Sequence, residues 1–182
     1  MKEGNTAILT QAPFKGITDS ITASPKDPDL YLRRAELLSQ SREYALAYED
    51  LTKAWELSPA QSIAEYRVNM LFLSGKNEAA MELLDDLTKK FPENVNLQRR
   101  MGEALLQDKQ YEQALQVYNK IISGDTLDFE AYHERALISL EKLDTPAAVH
   151  DLETSFRQQP LQITALTLAN LYAERKDPRA LE

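Results

Sequence analysis

Small and large apolar residues recur along this chain in columns that keep step over four units. Ala47, Ala80, Ala114 and Ala148 stand 33, 34 and 34 residues apart. Four positions after each stand Leu51, Leu84, Tyr118 and Leu152, and three further on Ala54, Leu87, Ile121 and Ser155. Five beyond those come Pro59, Pro92, Thr126 and Pro160, and twelve before the Ala column come Ala35, Val68, Gly102 and Ala136. Residues four and seven apart share one face of an α-helix. The Ala and large apolar columns therefore form the buried face of one helix per unit. The small column ahead of them lets a preceding helix approach closely. Proline stops the second helix, because it lacks an N–H and clashes with the turn before it.

The pattern predicts first helices near 29–41, 62–74, 96–108, 130–142 and 162–175, and second helices near 44–57, 78–90, 111–123 and 146–158. Asn77 and Thr145 stand where helix caps are expected, Thr145 followed by Pro146. The chain is read as a flexible N-terminal segment over 1–12 and one solenoid over 13–182. That solenoid holds a leading helix at 13–24, repeats at 28–60, 61–94, 95–128 and 129–161, and a partial repeat at 162–182. Phe14, Ile17 and Ile21 share a helical face in the leading element. The partial repeat's second helix is expected to begin near Asp177-Pro178.

These columns resemble the tetratricopeptide repeat, whose period is about 34 residues, over Asp27 to Glu174. The chain departs from the family pattern at Val68, at Gly124-Asp125-Thr126 where no proline follows, and at the first-helix Trp, replaced by Tyr31, Ala64, Gln98 and Tyr132. The resemblance implies an all-α, right-handed α-solenoid of antiparallel helix pairs. It also implies a concave surface, lined by the first helices, that holds a peptide or partner protein. The partner-binding candidates so implied are Arg33, Glu36, Tyr66, Asn69, Phe72, Arg99, Arg100, Glu103, His133 and Glu134, with Leu32, Glu65, Leu73, Leu106, Leu137 and Asn170 around them. Arg99 and Arg100 are the sharpest of these, as forks for a carboxylate; the alternative pairs them with Glu103 and Glu65. The Lys and Asn carboxylate clamp of the family's chaperone-binding branch is absent, since Leu32, Glu36 and Tyr66 hold its positions.

Composition agrees with an all-α fold: Gly is scarce at 5 residues while Ala, Leu, Glu, Gln and Lys, good helix formers, abound. A formal net charge of −8 argues against general nucleic-acid binding and against an anionic membrane surface. With no Cys, disulfides, thiolate metal sites and thiol catalysis are excluded. No apolar run is long enough to span a membrane.

Candidate chemistry is sparse. His133 and His150 are the only histidines, are not expected to converge, and form no HExxH; they read as surface residues. The glycines form no GxGxxG or P-loop, and no Ser lies in GxSxG. No metal or cofactor is called. Arg34 with Asp50, and Arg135 with Asp151, lie 16 residues apart at matching repeat positions and are read as braces across the helix hairpin rather than as a binding pair. The function expected is non-catalytic protein or peptide binding. The alternatives are an assembly piece contacting through its ends, self-association through the uncapped C-terminal end included, and an enzyme whose site lies in flanking sequence. The polar start and the terminal Leu-Glu read as trimmed ends, and the repeat type favours a periplasmic or lipid-anchored exported bacterial protein over a cytoplasmic one.

Overall fold

The apolar columns become helix hairpins whose buried faces meet. The computed structural model describes residues 7–174. Among them are ten α-helices, one short 3-10 turn and no strand. The fold is an all-α helical-repeat solenoid. The chain divides into two compact units, Met1–Asn94 and Val95–Glu182. The division falls at the expected boundary between the second and third repeats, inside what the columns read as one array over 13–182.

The first unit holds α1 (Lys15–Ala23), α2 (Pro28–Gln40), α3 (Tyr44–Leu57), α4 (Gln61–Leu73) and α5 (Asn77–Lys90). Consecutive helices pack on one another. Ala35, Ala47, Leu51 and Ala54 are fully buried in one cluster with Phe14, Leu38 and Met70. Each fully buried Leu stabilises by about 1.5–3 kcal/mol relative to exposure. The polar start predicts no packed structure up to residue 12, yet Ala7–Thr10 forms the 3-10 turn and packs Ile8 and Leu9 against this cluster. Two adjacent apolar side chains beside buried Phe14 suffice. Residues 1–6, and the second helix expected near Asp177-Pro178, lie outside the described residues.

The second unit holds α6 (Val95–Gln107), α7 (Tyr111–Gly124), α8 (Phe129–Glu141), α9 (Thr145–Gln158) and α10 (Gln162–Glu174). Consecutive helices again pack on one another, and the first helices α6 and α8 also touch. Here the buried cluster includes Ala136, Ala148, Leu152 and Leu168. Gly102 meets Tyr118 of α7: a β-carbon at 102 would lie 2.7 Å from the Tyr118 Cζ.

The hairpin turns repeat as closely as the cores. Arg42, Gly75, Lys109 and Leu143 all have positive φ, at 62, 73, 59 and 60°. Each follows the last residues of a first helix. The next N–H reaches back to close a six-residue loop, as from Glu43 to the Leu38 carbonyl at 2.8 Å and from Asp144 to the Ser139 carbonyl at 2.8 Å. Two cap positions differ from expectation. Asn77 is already the first residue of α5 and Lys76 precedes it without a side-chain cap. At α9 the cap is Asp144, whose carboxylate accepts from the Ala147 N–H at 3.1 Å; Thr145 lies inside the helix. A carboxylate one residue earlier is the better acceptor for these orphan N–H groups.

The two Arg–Asp pairs are braces. Arg34 donates from Nε and Nη2 to the Asp50 carboxylate, both at 2.7 Å, and its Nη1 reaches the Thr18 hydroxyl at 3.1 Å. Arg135 repeats this with Asp151 at 2.7 Å twice and with Asn119 at 2.7 Å. Each guanidinium thus ties a first helix to the second helices on both sides. Burial pushes the Asp50 carboxyl up, against the pull of Arg34. Burial without a partner would make this charge costly, so the fork geometry is required rather than ornamental. At Arg67 the column breaks, because Leu83 replaces the acid. Arg67 instead lies over the Tyr48 and Trp55 rings, 5.5 and 5.6 Å from their centroids, and its buried Nε has no hydrogen-bond partner among the described residues.

Candidate functional site

The candidate residues fall on first helices, five in each unit, and the two sets are described separately. In the first unit Arg33 and Glu36 are exposed on α2. On α4, Tyr66 is half-buried against the core, and Asn69 and Phe72 are half-buried too. Leu73 beside them is exposed. At the other end of this face Asn94 donates to Gln61 Oε1 at 2.9 Å and to Glu65 Oε1 at 2.8 Å.

In the second unit Arg99, Arg100 and Glu103 lie on α6, and His133 and Glu134 on α8. Arg99 is not an open fork. It donates to both Asp128 oxygens, at 3.3 and 2.9 Å, and lies 2.8 Å from Glu130 Oε2. Its side chain is only 19% exposed. Asp128 also caps α8, accepting from the Ala131 N–H at 2.8 Å. One carboxylate thus fixes both the start of α8 and the guanidinium from α6. Arg100 is more exposed and pairs with Glu103 at 2.9 Å, the i,i+3 contact expected on a helix surface.

His133 is not a simple surface residue. It is half-buried, and its Nδ1 is 3.1 Å from the Thr164 hydroxyl of α10. Burial lowers its pKa. His150 is exposed on α9, a second helix. Glu134 is half-buried, and burial followed by the Glu103 charge pushes its carboxyl up, with Arg99 pulling the other way. Behind these residues the Tyr118 hydroxyl is buried without a hydrogen-bond partner among the described residues. Burial, then the charges of Glu134 and Glu103, hold it in the neutral form. Near the C-terminal ends of α6 and α8, Leu106, Tyr111, Leu137, Leu140 and Glu141 line a groove of about 320 Å³.

The columns placed the candidate positions on first helices but missed four residues that shape this face. Asp128 carried a signal, an acid one residue before a predicted helix. Glu130 and Thr164 carried none, because their roles depend on which helices neighbour each other. Tyr118 was visible only as a member of an apolar column. Among the described residues no group of three or more His, Cys, Asp or Glu is placed to hold a metal ion. No described helix is long and apolar enough to cross a membrane.

A family model described as tetratricopeptide repeat matches residues 71–138. No curated protein matches the chain in sequence. Among solved structures, MamA residues 41 to the end from Desulfovibrio magneticus RS-1 is similar with a TM-score of 0.71 at 17% identity, over 84% of this chain and 88% of that one. YrrB, described as a TPR protein with an unusual peptide-binding site, is similar with a TM-score of 0.65 at 20% identity, over 89% and 84%. PilF of Pseudomonas aeruginosa is similar with a TM-score of 0.71 at 22% identity, over 82% and 69%. At these identities the likeness is one of fold.

Proposed function

This chain carries tetratricopeptide repeats, and from that premise we propose that it is a non-catalytic module that binds a peptide or partner protein on the face of its first helices. Repeat proteins of this kind generally serve protein–protein interaction as scaffolds. The observation that carries the reading is the division of residues within each repeat. The columns of the second helices are spent on the cores. In the first unit the first helices are left with exposed Arg33 and Glu36 and half-buried Tyr66, Asn69 and Phe72, and in the second unit with exposed Arg100. Aromatic anchors beside Arg, held on rigid helices, suit protein recognition. The peptide-binding site named for YrrB supports the same use of this fold.

The test is a selection from a library of displayed random peptides on the native chain and on a variant with first-helix charges of both signs reversed, Arg33→Glu/Glu36→Arg/Arg100→Glu/Glu103→Arg. Arg99 is left alone because it holds α8 in place. Circular dichroism checks that the variant keeps its helicity. Peptides enriched by the native chain and lost with the folded variant support the proposal. Peptides retained equally by both remove the first-helix face from it.

A second reading, an assembly piece contacting through its end, is favoured by α10, where Ile163 and Leu166 are 59% and 54% exposed. It predicts that the chain sediments as a concentration-dependent oligomer and that Ile163→Glu/Leu166→Glu returns it to a monomer. A native chain that stays monomeric at all concentrations rules it out.

A further inference from the structure

We propose that the first-helix face of the second unit receives a basic side chain of its partner, lysine or arginine, between Glu103 of α6 and Glu134 of α8, with the Tyr118 hydroxyl as a third acceptor. This rests on the peptide-binding reading above and names the chemistry that the site selects.

Charge comes first. Four carboxylates gather here, those of Glu103, Asp128, Glu130 and Glu134, against two guanidinium groups. Arg99 is spent on Asp128 and Glu130, and Arg100 on Glu103. Glu134 is half-buried and has no hydrogen bond or ion pair among the described residues. A carboxylate withdrawn from water without a partner is costly. The cost shows in its raised pKa, for which burial is the first cause and Glu103 the second.

Tyr118 is the independent observation. Its side chain is fully buried, and its hydroxyl has no hydrogen-bond partner among the described residues. The ring crosses from α7 to α6 against Gly102, where a β-carbon would lie 2.9 Å from the hydroxyl oxygen. That places the hydroxyl one residue from Glu103. Glu134 and Glu103 are also the charges that oppose its ionisation. Two carboxylates and a phenol oxygen therefore share one neighbourhood, and all three can accept.

An ammonium carries three donors and no acceptor, and a guanidinium carries five donors. Either satisfies such a set and neutralises Glu134. An anion meets repulsion, and a neutral amide leaves the charge unpaired. Glu103 and Glu134 have long side chains, whose carboxylates turn onto an incoming cation by rotamer changes.

The peptides enriched in the display selection provide the test. Enriched sequences are expected to share a Lys or Arg at one position. A synthetic peptide of that sequence should bind about tenfold more weakly once this residue is replaced by Gln, and similarly when the chain carries Glu134→Gln, as befits one charge-assisted contact. Tyr118→Phe should weaken binding severalfold. Asp86→Asn on α5, exposed and in the other unit, should leave it unchanged. Peptides that depend on the first-helix face yet lack a basic residue overturn this inference and leave the binding reading standing. Equal losses with Glu134→Gln and Asp86→Asn mean diffuse attraction and overturn it as well. Failure to recover any peptide that depends on the first-helix face overturns both.

Discussion

Substituting Gly102 by Ala puts one methyl group where the structure has no room for it. The new β-carbon would lie 2.7 Å from Tyr118 Cζ, 2.8 Å from Cε2 and 2.9 Å from the hydroxyl oxygen. All three distances are shorter than carbon ever accepts from such neighbours. The Tyr118 ring is fully buried, so it cannot swing into solvent. Inserting a methyl into a packed core costs about 1–3 kcal/mol. Ala recovers about 0.5–1 kcal/mol in a helix interior relative to Gly. The expected net loss is about 1–2 kcal/mol, read from urea unfolding followed by far-ultraviolet circular dichroism. Gly124→Ala is the internal control: nothing lies within 4 Å of its β-carbon position, so only the small helix gain remains. A second arm isolates the contact. Tyr118→Leu alone leaves a cavity beside Gly102 and should cost about 2–4 kcal/mol. Gly102→Ala/Tyr118→Leu rebuilds the Ala and Leu combination of Ala35 with Leu51 and of Ala136 with Leu152, all fully buried. The double variant should therefore be more stable than the sum of the singles by about 1 kcal/mol or more. A Gly102→Ala chain as stable as the native one, or additive behaviour in the cycle, refutes the packing account.

The remaining expectations concern the braces, the turns and pH. Asp50→Ala leaves the buried Arg34 uncompensated and should cost about 3 kcal/mol or more, whereas Arg34→Met/Asp50→Leu should recover most of that loss; a double variant as unstable as Asp50→Ala in urea would show that the pair does more than satisfy itself. Leu143 is 89% exposed and has φ of 60°, so Leu143→Gly relieves the left-handed strain and should raise stability by about 1 kcal/mol in the same assay; a loss would mean that the turn does not depend on φ. His133 has its folded pKa lowered from 6.5 by burial, so the unfolded chain binds the proton more tightly, and stability should fall as pH drops below about 6.5. His133→Gln should remove that fall in a series of melting temperatures, exposing the opposite trend from Glu134, whose pKa is raised from 4.5 and which favours the folded chain as pH descends toward that value. An unchanged slope in His133→Gln would move the titration elsewhere.

What was legible in the sequence followed from periodicity, and what was not followed from geometry between helices. The five columns carried the helices to within a residue of their bounds, because a fixed 33 or 34 residue step forces every small position against the large one 16 residues on. The same step carried Arg34 with Asp50 and Arg135 with Asp151. A further column, Arg42, Gly75, Lys109 and Leu143, was equally regular but silent, since only one of its members is the glycine that announces positive φ. The others are held there by the backbone hydrogen bonds that close each first helix, so topology overrides residue preference. The candidate face was less legible for a different reason. Its positions lie on the first helices, yet which charges remain available there depends on partners 29 or more residues away, as when Asp128 and Glu130 absorb Arg99. Repeat position put Glu134 among the candidates, but nothing in the sequence set it apart from them, because its distinguishing feature is the absence of a partner among the described residues. Such a residue is found only by following every nearby cation to the acid it already holds, and that accounting moves attention from Arg99, the residue the sequence favoured, to the carboxylate beside it.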